Sequence, residues 1–119
     1  MERPSHREIS AKLKAAKEAI EKGCYLPADV KKATADLENL DLWGEDEIRK
    51  AFLDSLSEIK PDDYKGHRPP EKSMEKEVFK EEMFAFCWES KRFSKRMYLK
   101  FCIKKGTFYY ISFHETKFR

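Results

Sequence analysis

The sequence predicts an α+β fold in which three N-terminal helices pack on a C-terminal twisted antiparallel sheet of about four strands. Apolar residues recur at helical spacing as far as Ile59, and Pro61 then interrupts the pattern. Beyond it, 12 of the 16 aromatic residues crowd between Phe79 and Phe118, a composition that suits strands. With 119 residues the chain can bury one hydrophobic core and is short for two. It is read as a single domain over residues 1–119, with a helical part over 1–60 and the sheet over 61–119.

The first helix is expected from Ser5 to Gly23. Ser5 and Glu8 have capping-box spacing, Ile9, Leu13, Ala16 and Ile20 share one face, and Gly23 can end the helix. A second is expected from Pro27, suited to a first helical turn, to about Asp41, with Val30, Ala33, Leu37 and Leu40 on one side. A third starts near Glu45, where acidic residues favour a helix N-terminus, and carries Ile48, Phe52, Leu56 and Ile59 inward.

Asp62 to Arg68 reads as a short first strand closed by Pro69 and Pro70, and Glu71 to Lys76 as a polar loop. Val78 to Glu89 reads as a second strand. Phe84, Phe86 and Trp88 lie on one face and Met83, Ala85 and Cys87 on the other, which points to an interior position. A final hairpin pairs Phe93 to Ile103 with Thr107 to Thr116. A three-residue loop, Lys104 to Gly106, sets Leu99 opposite Ile111 and Met97 opposite Phe113. The same register puts Tyr98 opposite Ser112, Lys100 opposite Tyr110, and Arg96 opposite His114, all on the open face.

Composition narrows the function classes. Charged residues make up 39%, but 40% hydrophobic residues keep the chain out of the disordered class. Met1 to Ser10 is polar and charged, and no stretch approaches the roughly 18 apolar residues of a membrane span. No membrane partner and a cytoplasmic location are expected. Cys24, Cys87 and Cys102 form no C-x-x-C pair, so reduced thiols are the simple reading. No nucleotide-binding glycine loop, hydrolase elbow or zinc-protease motif is present. The charge is uneven: residues 91–119 hold nine Lys/Arg and one acidic residue, net +8, whereas 1–60 and 61–90 are net −2 and −3. An anionic partner is drawn to the last quarter of the chain.

The open face of the hairpin would carry Arg96, Tyr98, Lys100, Tyr110 and His114. Cations can neutralise phosphates, aromatic rings can stack on bases, and an imidazole exchanges protons near neutrality. Such a set suits single-stranded nucleic acid. RNA cleavage by 2′-hydroxyl attack needs only help for the nucleophile, cations for the crowded phosphorane, and a proton for the departing 5′ oxygen. No cofactor is called for. The same residues also fit a merely solvated basic face with ordinary strand tyrosines. The acidic runs Glu45 to Glu47 and Asp62 to Asp63 are explained by a helix start and by solvent exposure before metal binding.

Several strings in order resemble the MqsR family of toxin-antitoxin mRNA interferases, within the RelE-like superfamily of small ribonucleases. They are the Ser-His start before an amphipathic helix, D-D-Y-K at Asp62 to Lys65, E-V-F at Glu77 to Phe79, Y-L-K at Tyr98 to Lys100, and I-S-F at Ile111 to Phe113. The resemblance spans nearly the whole chain. It implies a RelE-like fold and a toxin that cleaves mRNA without metal until an antitoxin protein neutralises it. It also implies site residues: Lys65 for the family's lysine after an aromatic residue, Tyr98 for its strand tyrosine, and His114 for its late site residue. His114 departs from a lysine found there in the family's best-known member, although related RelE-like ribonucleases often use a late histidine. Lys76 stands where a glutamine is expected.

The functional expectation is therefore an endoribonuclease in which Tyr98 and His114 transfer protons, with His114 as the acid. Lys65, Arg96 and Lys100 hold the scissile phosphate, while Lys76 and Tyr110 complete the RNA-binding set. The alternatives are a non-catalytic RNA- or DNA-binding module and a protein-interaction domain whose basic sheet meets an acidic partner.

Overall fold

A computed structural model describes residues 3–116. Its first helix, α1 (His6–Glu21), starts where Ser5 Oγ accepts the Glu8 backbone N–H at 3.1 Å, and it buries Ile9, Leu13, Ala16, Ala19 and Ile20. Gly23, with φ 78°, turns the chain out of it. A strand follows where a helix start was expected: Tyr25–Pro27 forms β1, so Pro27 is a strand residue. The second helix, α2 (Val30–Asn39), begins three residues later, with Asp29 capping the Lys32 N–H. Val30 consequently points to solvent, while Ala33, Leu37 and Leu40 reach the core. The third helix, α3 (Glu45–Glu58), matches its expected pattern, with Phe52 and Leu56 fully buried.

The remaining strands are β2 (Phe84–Ser90), β3 (Lys95–Lys104) and β4 (Thr107–Glu115), and the sheet order is β1-β4-β3-β2. The sheet is mixed and not purely antiparallel, because β1 runs parallel to β4. Asp62 to Arg68 is not a strand. Pro61–Asp63 makes a short 3-10 turn, and Tyr64 then forms a single bridge to Phe86. β2 begins later than expected and lies at the sheet's edge. Its second face is apolar because the loop before it folds back across the sheet: Val78 and Met83 cover Cys102, Tyr109 and Ile111.

Two features set the hairpin register. Lys105 and Gly106 both have positive φ, 50° and 74°, and form a two-residue turn between the paired Lys104 and Thr107. Pairing then slips between Lys100 and Phe101, leaving Ile111 as the extra residue of a β-bulge. The expected three-residue loop is replaced by this combination, which reverses the faces of residues 108–110. Phe108 and Tyr110 point into the main core with Phe113, and Ile111 points away from it. Phe52 sits at the centre, its ring 4.7 Å from Phe113, 4.8 Å from Tyr110 and 5.3 Å from Phe108. Burying one such ring contributes about 1.5 to 3 kcal/mol. Among the described residues no helix is long and apolar enough to cross a membrane.

Candidate catalytic face

The bulge sets the site. Continued without it, the register of the two-residue turn would set Met97 opposite His114; with it Tyr98 and His114 are direct cross-strand partners on the side of the sheet away from the helices. Their rings stack with centroids 5.3 Å apart and planes 28° from parallel. Cys87 faces Tyr98 from the other side, so the row reads Cys87, Tyr98, His114 across β2, β3 and β4. Burial pushes the Tyr98 phenol above its ordinary value, and Cys87 and Glu71 add to the shift. At neutral pH Tyr98 is thus a proton donor in hydrogen bonds and not a base. Burial also raises the Cys87 thiol, against the opposing influence of Arg96 and Lys65, so it is no ready nucleophile. The His114 ring is held by its Nδ1, 3.0 Å from the Glu115 carbonyl oxygen. That contact leaves Nε2 as the outward nitrogen.

Beside this row lies a cleft of about 120 Å³ lined by Lys65, Gly66, His67, Glu71, Met83, Ala85, Tyr98 and Lys100. The Lys65 backbone N–H donates to the Ala85 carbonyl at 2.8 Å, which anchors the segment along β2. Lys65 and Lys100 make no ion pair among the described residues. Lys65 also borders a larger cleft of about 560 Å³ that includes Asp63, Cys87, Glu89 and Arg96. Its edge is fixed by Glu58, which accepts from Trp88 Nε1, Ser90 Oγ and the backbone N–H groups of Lys91 and Arg92.

Five expected residues meet on this face: Lys65, Arg96, Tyr98, Lys100 and His114. Arg96 is already engaged by Glu89 at 3.2 Å. Two do not join them. Tyr110 is 8% exposed and packed against Phe52, because the reversed parity of residues 108–110 turns it inward. Lys76 lies in the 3-10 turn Lys76–Val78 and borders another cleft with Leu26, Val30 and Tyr109. The basic tail is also less free than its charge suggests: Arg92 pairs with Asp54 and Lys95 with Glu115. Lys117 and Arg119, counted in the net +8, lie outside the described residues.

His67 and Glu71 were not singled out from the sequence, yet they line the cleft beside Tyr98, with His67 Nε2 2.8 Å from Glu71 Oε2. The H-x-x-x-E spacing two residues beyond Lys65 is the signal that could have found them. Asp63 and the acidic run at Glu45 have structural explanations. The Asp63 carboxylate accepts the Lys60 N–H, and the run forms the first turn of α3. Among the described residues no group of three or more His, Cys, Asp or Glu is arranged to hold a metal ion. No family model, no curated protein and no solved structure matches the chain.

Proposed function

We propose that the chain is an endoribonuclease that cleaves single-stranded RNA, messenger RNA in the cell, by attack of a 2′-hydroxyl on the adjacent phosphate. The observation that carries this reading is the stacked Tyr98 and His114 pair beside Lys65 and Lys100, two lysines that make no ion pair among the described residues. The lysines neutralise the scissile phosphate and the charge that grows on it. The Tyr98 phenol donates a hydrogen bond to a phosphate oxygen. As the P–O2′ bond forms and the P–O5′ bond breaks, His114 gives a proton to the leaving 5′ oxygen. The products are a 2′,3′-cyclic phosphate and a 5′-hydroxyl.

A focal site of this kind fits the surface better than an extended binding platform, because Arg92, Arg96 and Lys95 are already spent on ion pairs. The resemblance to MqsR-like toxins supports the biological half of the proposal, a toxin neutralised by a protein antitoxin. The test is cleavage of a labelled RNA oligonucleotide in excess EDTA. Wild type is expected to cut, and His114→Ala to cut at least about a hundredfold more slowly. Intact RNA with wild type, or full activity in His114→Ala, overturns the proposal.

A further inference from the structure

The mechanism above leaves the 2′-hydroxyl proton without a destination. Tyr98 cannot take it, since burial keeps the phenol protonated. The cleft lysines are ammonium groups with no lone pair to offer. The remaining side chains of the cleft are Met83, Ala85, Glu71 and His67.

We infer that His67 is the general base of this site, with Glu71 as its positioning residue; the inference rests on the nuclease reading above. The carboxylate oxygen of Glu71 lies 2.8 Å from His67 Nε2. In the neutral ring this places the proton on Nε2 and the lone pair on Nδ1. When Nδ1 accepts the 2′-hydroxyl proton, Glu71 stabilises the imidazolium that forms, as a carboxylate does for the histidine of a catalytic triad. The electron pair freed on O2′ makes the new bond to phosphorus, and the pair of the P–O5′ bond leaves with O5′, which His114 protonates. The base thus ends with one proton more and the acid with one fewer. Water opening the cyclic product by the reverse route would restore both.

The local build of the chain supports this role. The Tyr64 hydroxyl donates to the His67 carbonyl oxygen at 2.6 Å, and the buried Tyr64 ring is fixed against Phe84 and Phe86. Residue 66 lies so close to that ring that a Cβ would fall 2.5 Å from the Tyr64 oxygen, so glycine is required there. The backbone of His67 is therefore held in place while its side chain stays 74% exposed. A hydrogen bond that exposed adds little stability, which leaves its position on the cleft wall as the feature to explain. His67 shares the cleft with Tyr98 on the β2 side, where the chain bridges β2 through Tyr64, and His114 stacks on Tyr98 from β4.

The roles are separated by RNA carrying sulfur in place of the bridging 5′ oxygen, because a thiolate departs without protonation. On ordinary RNA, His67→Ala and His114→Ala are each expected to slow cleavage about a hundredfold or more. On the sulfur substrate His114→Ala recovers to near the wild-type rate, whereas His67→Ala stays slow. Melting temperatures confirm that both variants fold. Active wild type with an unimpaired His67→Ala removes this assignment alone. Recovery of His67→Ala on the sulfur substrate removes it as well, since the residue would then be the acid. Wild type that leaves both substrates intact removes the nuclease reading and the base with it.

Discussion

Tyr98 and His114 lie directly opposite each other on β3 and β4 and stack face to face, so each restricts the rotamers of the other. Tyr98→Phe keeps that stack and removes only the hydroxyl, whereas Tyr98→Ala removes both. The alanine variant is expected to be about 1 kcal/mol less stable than the phenylalanine variant in urea unfolding. It should also lose more cleavage activity. Equal activity losses would mean that the hydroxyl matters and the stack does not.

Glu58 ties the end of α3 to the β2–β3 connection through four donors. Burial raises its carboxyl, but hydrogen bonds from Trp88, Arg92, Ser90 and Lys91 outweigh that and leave it below the usual glutamate range. Because the folded value is depressed, this stabilisation is complete above the ordinary glutamate range and disappears as pH falls through the folded value. Glu58→Gln should lower stability at pH 7 by about 1 to 2 kcal/mol. The difference from wild type should shrink in acid. Glu82, lowered by hydrogen bonds from the Arg3 side chain, weakens both proteins alike in acid and drops out of the comparison. Thermal melts of both proteins between neutral pH and the acid limb check this, and a pH-independent gap contradicts it.

Gly66→Ala would force a Cβ against the Tyr64 ring, with its Cζ at 2.7 Å as well as its oxygen. The ring is buried and cannot yield freely, so a loss of about 1 to 3 kcal/mol is expected. Tyr64→Phe keeps the packing and removes the hydrogen bond to the His67 carbonyl, at about 1 kcal/mol. Denaturant midpoints for the two variants should rank in that order below wild type.

Lys105 adopts φ 50° in the tight turn before Gly106. Asparagine tolerates that conformation better, and Asn-Gly is the favoured pair when both turn residues have positive φ. Lys105→Asn is expected to raise the melting temperature by a few degrees, about 0.5 to 1 kcal/mol. A lowered melting temperature would show that the lysine side chain does more than fill the turn.

What the sequence made legible follows from which signals are local. The α1 and α3 helices could be read because Ser5, Gly23, the acidic run at Glu45 and the spacing of Ile9 to Ile20 and Ile48 to Ile59 all lie within or immediately beside the elements they define. β1 could not be read. It has three residues and ends in proline, and its partner β4 lies about eighty residues away in the chain. Pro27 therefore looked like a helix start. β4 is apolar at alternate positions in both phases, Phe108 and Tyr110 in one, Tyr109 and Ile111 in the other. Nothing local marks Ile111 as the bulged residue. That single residue explains why Phe113 and His114 were assigned their faces correctly while Tyr110 was not. The pairing of Tyr98 with His114 likewise emerges from the slip and not from simple alternation. His67 and Glu71 were hidden because Asp62 to Arg68 reads as strand, which gives no reason to expect a loop bending over the sheet.

The outer margin of β4 is occupied from Phe108 to Phe113. The Cys24 carbonyl takes the Phe108 N–H, the Tyr110 carbonyl takes the Ala28 N–H, and the Asp36 carboxylate takes the Phe113 N–H. β1 beyond it is three residues long and ends in a proline that has no N–H to give. Main-chain augmentation of the sheet, by a second copy or by an extended peptide, therefore finds little template on that flank among the described residues. Any protein that docks from that direction must do so mainly through side chains.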